Sequence, residues 1–126
     1  MLPEEVKERL DLLVDSKQIE VDTRQRVWET LTQLEQQGHL DPESDSIGPF
    51  TNHLAIAATR ITRGEAITES NNQVDEVLRE NPELIQKAEA ILEQCVGNSE
   101  TKIPSAETGF IVLYLALLRK QPNEEI

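Results

Sequence analysis

The sequence predicts an all-α protein, a compact bundle of five to six helices forming one domain across residues 1–126. Three observations carry that expectation. Apolar residues make up 37% of the 126, enough to bury a core without disulfides or metals. Only four aromatic residues occur, Trp28, Phe50, Phe110 and Tyr114, so the core is aliphatic and alanine-rich, a composition suited to packed helices more than to a β-sandwich. Apolar side chains recur three and four residues apart, between proline and glycine residues placed where helices start and stop.

The first helix is expected from Pro3 to Ser16. Proline suits a first-turn position, and Val6, Leu10, Leu13 and Val14 form the buried side. A break follows at residues 17–21. The second helix, Asp22 to Gln37, buries Val27, Leu31 and Leu34 with Trp28 alongside, and Gly38 stops it. Residues 39–45 are polar with a proline and read as loop, with His39 solvated. A third helix begins at Ser46 or Pro49 and runs to Arg63, with Gly64 as its stop. Its apolar face is Ile47, Phe50, Leu54, Ala57 and Ile61. After a loop through Ser70, a short helix covers Asn71 to Glu80. Asn81 then caps the next helix, with Pro82 at its first position, and Gly97-Asn98 end it. Its inner stripe is Leu84, Ala88, Ile91 and Cys95. The last helix runs from Pro104 or Ser105 to Lys120 and is apolar nearly all round from Phe110 to Leu118, as expected of a central or interface helix. The run Phe110–Tyr114 is short enough to read as a strand, but no neighbouring strand accompanies it.

Charge narrows the function classes. The net charge is −12, with no basic stripe of the kind that displaces counterions from a nucleic acid. Neither direct nucleic-acid binding nor attachment to an anionic membrane is expected. The densest apolar run, Phe110–Leu118, falls far short of the ~20 residues that span a bilayer. One cysteine, Cys95, and no secretory leader suit a cytoplasmic protein, and Cys95 reads as core. Two histidines and one cysteine give no zinc spacing. Asp41, Glu43 and Asp45 lack the glycine and terminal glutamate of a calcium loop, and no glycine-rich phosphate loop occurs. No metal, cofactor or enzymatic activity is expected. The acidic pairs Glu4-Glu5 and Glu124-Glu125 read as solvated ends.

One pair of residues stands apart. His53 and Arg60 lie seven apart on the third helix, one above the other beside its apolar face. A neutral imidazole is a competent nucleophile near pH 7, and a guanidinium can grip a phosphate by two points. The margin suits a phosphate. The plainer alternative is a helix-edge histidine bonded to a neighbour. Glu107 and Tyr114 repeat the seven-residue spacing on the last helix. They read either as lining the His53 site, with Tyr114 donating a hydrogen bond, or as a first-turn acid and a core tyrosine.

Two stretches, Phe50-Thr-Asn-His-Leu-Ala-Ile-Ala-Ala-Thr-Arg60 and Ala106-Glu-Thr-Gly-Phe-Ile-Val-Leu-Tyr-Leu-Ala116, in this order and some fifty residues apart, resemble the PTS regulation domain (PRD) of bacterial antiterminators and sugar-operon activators. The resemblance covers roughly residues 4–120. It implies a dimeric helical bundle with two histidines facing a shared surface. It further implies phosphorylation by a phosphotransferase-system phosphocarrier or enzyme IIB, with switching of an effector domain through protein contacts. His53 matches the first histidine and Arg60 the arginine one heptad on. Glu107 and Gly109 match the opening of the second stretch. Asn52 stands where an acidic residue usually precedes the histidine, Thr59 where a glutamate is frequent, and Tyr114 where the second histidine is expected.

The resemblance therefore implies a stand-alone, non-enzymatic regulatory domain of a homodimer. Its phosphoacceptor would be His53, with Asn52, Arg60, Glu107 and Tyr114 around the phosphate. Two other readings remain: a degenerate domain that only dimerises or docks, and a small-ligand binder or enzyme using a His53/Arg60/Glu107 pocket.

Overall fold

The structure is a computed structural model and describes residues 1–69, 71–98 and 101–118. Among these the chain forms helices α1 (Glu4–Asp15), α2 (Val21–Gln36), α3 (Ile47–Thr62), α4 (Asn72–Glu80), α5 (Pro82–Val96) and α6 (Ser105–Leu118). The expected all-α bundle is the observed one. Phe110–Tyr114 is helical, so the strand reading is set aside. The expected run of α6 to Lys120, Ser70 at the end of its loop and the Glu124-Glu125 pair lie outside the described residues.

Local signals explain most boundaries. Gly38, Gly64 and Gly97 adopt the left-handed backbone that ends α2, α3 and α5. The end of α1 is less expected. Lys17 takes that conformation at φ 65° without being glycine, and the next N–H, that of Gln18, reaches back to Leu13 O at 2.9 Å. Asn71 caps α4 by accepting from Val74 N at 2.8 Å. Asn81 occupies the N-cap position of α5, but its amide does not cap that helix. It donates back to Val77 O at 3.0 Å, closing the end of α4. His39 is half-buried rather than solvated, its N–H closing the end of α2 on Leu34 O.

Helix α3 is the hub, packed against α1, α2, α5 and α6. Its sequence permits this. Ile47, Phe50, Leu54, Ala57 and Ile61 are buried as expected, and Ala55, Ala58, Thr51 and Thr59 are buried as well, so most of the helix surface is small or apolar. The two threonine hydroxyls are satisfied within the helix by Ile47 O and Ala55 O. Cys95 is core, and burial pushes its thiol up to about 12. Arg26 ties α2 to the end of α5 through Cys95 O at 2.8 Å, and Arg24 ties α2 to α1 through Asp11 at 2.6 Å.

Helix α4 is held differently. Val74 is its only buried residue, and it rests on α6 at Gly109. A Cβ at Gly109 would collide with Val74 Cγ1. Glycine here admits a close helix approach, at a cost to α6 of about 1 kcal/mol relative to alanine. We expect Gly109→Ala to lower stability by about 1–3 kcal/mol in chemical denaturation, since overpacking outweighs the propensity gain. Combining it with Val74→Ala should recover part of the loss. Equal stability of Gly109→Ala and the parent chain would refute the close approach.

Candidate functional site

The third and sixth helices bring four of the five expected residues into one neighbourhood. His53 lies near the middle of α3 and Arg60 two turns further on, a rise of about 10 Å. Glu107 sits in the first turn of α6 and Tyr114 two turns later. Packing of α3 on α6 joins the two margins.

Arg60 and Glu107 are bonded to each other. Arg60 Nε donates to Glu107 Oε2 at 3.0 Å and Nη2 donates to Oε1 at 2.9 Å, a two-point ion pair. Glu107 has no solvent exposure, whereas Arg60 keeps 25% of its side-chain surface. A third donor, the backbone N–H of Ile67, reaches Glu107 Oε2 at 3.0 Å. Three N–H groups thus satisfy a fully buried carboxylate. Neither reading of Glu107 as a first-turn acid nor as a pocket wall anticipates this role: it fastens α6 to α3 and to the segment leading into α4.

His53 is half-buried against two rings of α6. Its centroid is 5.1 Å from that of Phe110 and 5.6 Å from that of Tyr114, both tilted. Tyr114 in turn lies 5.4 Å from Phe50. Tyr114 therefore meets His53 through its ring and not through the expected hydrogen bond. Nε2 of His53 is shielded from solvent and has no hydrogen-bond partner. Burial pushes the imidazole below its ordinary value of 6.5; the Arg60 charge pushes the same way and the Glu107 charge opposes. The site keeps His53 neutral at physiological pH, with a free lone pair on one ring nitrogen.

Asn52 faces elsewhere. It lines an open cleft of about 400 Å³ with Glu5, Glu8, Arg9, Leu12 and Leu13, against α1. Its Oδ1 is shielded and unpartnered. Arg60 opens onto a different cleft of about 300 Å³, with Lys17, Ile56, Thr59, Arg63 and Glu65 among its walls. Two participants escaped the sequence. Phe110 was findable, since it falls four residues before Tyr114 on the same helix face. The Ile67 N–H was not, because a backbone donor carries no residue signature.

The model of the PRD domain family matches residues 28–117, most of the chain and all of this site. No curated protein and no solved structure matches it. The chain belongs to the PRD family, regulatory domains of the phosphotransferase system.

Arg60→Met should cost about 3 kcal/mol, the low end for breaking a buried pair because Arg60 is partly exposed. Glu107→Gln should cost less, since an amide oxygen in place of Oε2 still accepts from Arg60 Nε and Ile67 N–H and no buried anion is left; the reverse ranking would contradict the cost assigned to the unpaired buried carboxylate. His53 should titrate below 6.5 by NMR of its ring protons. As its folded value is depressed, the stability gained by keeping it neutral is fully present above 6.5. It is lost as pH falls through the folded value, because only the unfolded chain takes up the proton at first. His53→Gln should abolish that acid-side slope.

Proposed function

We propose that this PRD-family chain is a non-enzymatic regulatory module that accepts a phosphoryl group on His53 from a phosphotransferase-system phosphocarrier or enzyme IIB. The modified module, as a homodimer, acts in transcriptional regulation through protein contacts. The observation that supports this most is the placement of His53 on α3 two turns before Arg60, against the rings of α6, with the guanidinium held by the buried Glu107 carboxylate. Phosphoryl transfer asks the acceptor for little more than a lone pair, alignment and positive charge near the equatorial oxygens. The lone pair on the attacking ring nitrogen forms the new P–N bond as the donor's bond to phosphorus breaks, and that electron pair stays with the donor. The other ring nitrogen keeps its proton. Arg60 supplies the charge.

The phosphorylated ring would carry about −1.5 to −2 additional charge, by analogy with phosphoserine. Left in place it would meet apolar rings, at the edge where α6 carries half-exposed Phe110 and Tyr114 and the exposed Leu117. That change in charge alters a surface able to pack against another protein. Among the described residues no helix is long and apolar enough to cross a membrane.

The shielding of Nε2 favours a second reading, a docking module that is never phosphorylated. The small-ligand reading asks for one pocket around His53, Arg60 and Glu107. Glu107 has no exposed surface to offer a ligand, and Asn52 and Arg60 open onto separate clefts.

Incubation with phosphoenolpyruvate, enzyme I and the histidine phosphocarrier, or with a phosphorylated enzyme IIB, should add one acid-labile phosphate detectable by intact mass. His53→Ala should take up none. Uptake unchanged by that substitution would place the acceptor elsewhere, and no uptake from either donor would favour the docking reading.

A further inference from the structure

The ion pair between α3 and α6 uses the guanidinium that a phosphorylated His53 would call on. Arg60 presents its Nε/Nη2 edge to Glu107 in the state described here. Glu107 lies one turn before Phe110 on α6, and the Phe110 ring packs on His53 with centroids 5.1 Å apart, so the carboxylate and the imidazole share one end of the α3–α6 contact. A carboxylate and a phosphoryl group on His53 would therefore compete for one cation. They differ in charge, about −1.5 to −2 against −1.

The consequence depends on what else Glu107 holds. If Arg60 turns away, one donor remains, the N–H of Ile67 at 3.0 Å. A fully buried carboxylate with one neutral donor is strongly unfavourable, and either a proton or entry of water relieves it; water enters where the cover is weakest. The most weakly held cover is the segment that carries Ile67. Glu65, Ile67, Thr68 and Glu69 are exposed and Ala66 is half-buried, so little apolar burial holds that stretch in place. It leads directly to α4, which itself buries only Val74, against Gly109 of α6. Helix α4 adds the half-buried Val77 and Leu78 to that contact, whereas the segment before it has the Glu107–Ile67 bond and half-buried Ala66 as its ties to the hub.

We infer that Glu107 is an internal competitor for Arg60, standing in for the phosphoryl group, and that transfer of Arg60 to a phosphorylated His53 releases residues 65–69 and undocks α4 from α6. The second half rests on the phosphoacceptor reading above; the fastening itself does not. In this scheme Glu107 is a positioning residue: it acts through Arg60 and Ile67 without meeting the donor. Its release would uncover the α6 surface around Gly109, a face available only in the modified state.

Hydrogen–deuterium exchange of the full chain tests both halves. In unphosphorylated Arg60→Met, amides of 65–80 should exchange at least about tenfold faster, while those of α1, α2 and α5 stay within about twofold of the parent. Glu107→Gln, which retains an acceptor for Ile67 N–H, should show a smaller increase confined to the same residues, and it serves if Arg60→Met fails to fold. Parent-like protection of 65–80 in both variants would overturn the fastening, as would equal loss of protection along the whole chain in Glu107→Gln. After phosphorylation of the parent chain the 65–80 pattern should match that of Arg60→Met. Phosphate on His53 with 65–80 still protected would overturn the release. Failure to take up phosphate at all would remove the phosphoacceptor reading and the release with it, yet leave the fastening decided by the variants.

Discussion

A carboxylate with no access to water constrains this fold more than any apolar contact. Glu107 is buried completely, and a buried anion persists only where donors surround it. The chain provides them from two elements: the guanidinium of α3 and the backbone N–H of Ile67. Once that arrangement is required, much else follows. Helices α3 and α6 must pack with Arg60 against the first turn of α6. The connection after α3 must fold back over α6 instead of extending into solvent. The fourth helix must then start where that connection ends, which sets Val74 over Gly109. The aliphatic core stabilises the bundle, and contacts such as Val74 on Gly109 also resist a shift. The ion pair resists it too, because a guanidinium shifted by one helical turn could not meet both carboxylate oxygens.

The legible part of the fold was the part written in periodicity and punctuation. The spacing of Ile47, Phe50, Leu54, Ala57 and Ile61 showed the buried face of α3, and Gly38, Gly64 and Gly97 marked helix ends because each needs a left-handed backbone. Lys17 adopts the same conformation with a side chain that does not advertise it, so only the break, and not its geometry, could be read. Asn81 shows another limit. Its position before Pro82 predicted a cap, yet an asparagine between two adjacent helices can serve either end, and the side chain serves α4. Which end wins depends on the angle between the helices, a tertiary property.

The candidate site divides in the same manner. Heptad spacing placed His53 with Arg60 and Glu107 with Tyr114, since those pairings lie within single helices. What joins the pairs is packing between helices, which no spacing rule supplies. Asn52 illustrates the risk of reading adjacency in sequence as adjacency in space. It follows Thr51 and precedes His53, but 100° of helical rotation turns it toward α1 and a separate cleft. Phe110 illustrates the converse, a residue with no polar chemistry that nonetheless sets the environment of His53 by its ring.

That environment carries an internal tension. Burial depresses the proton affinity of His53 and favours a neutral imidazole, yet Nε2 is shielded and the adjacent rings would be poor solvent for a phosphoryl group. A site that only docked would have no reason to leave an imidazole nitrogen buried without a partner, since an apolar residue of similar size would avoid that cost. A site that only received phosphate would have no reason to bury it. Both features belong together if the unmodified ring is packed and the modified ring is expelled. The rings of Phe110 and Tyr114 then favour the resting state, and Arg60 favours the modified one. Tyr114 stands where the sequence resemblance expects a second histidine, so on the proposed reading one acceptor with an aromatic neighbour would give a single input, where two histidines would admit several.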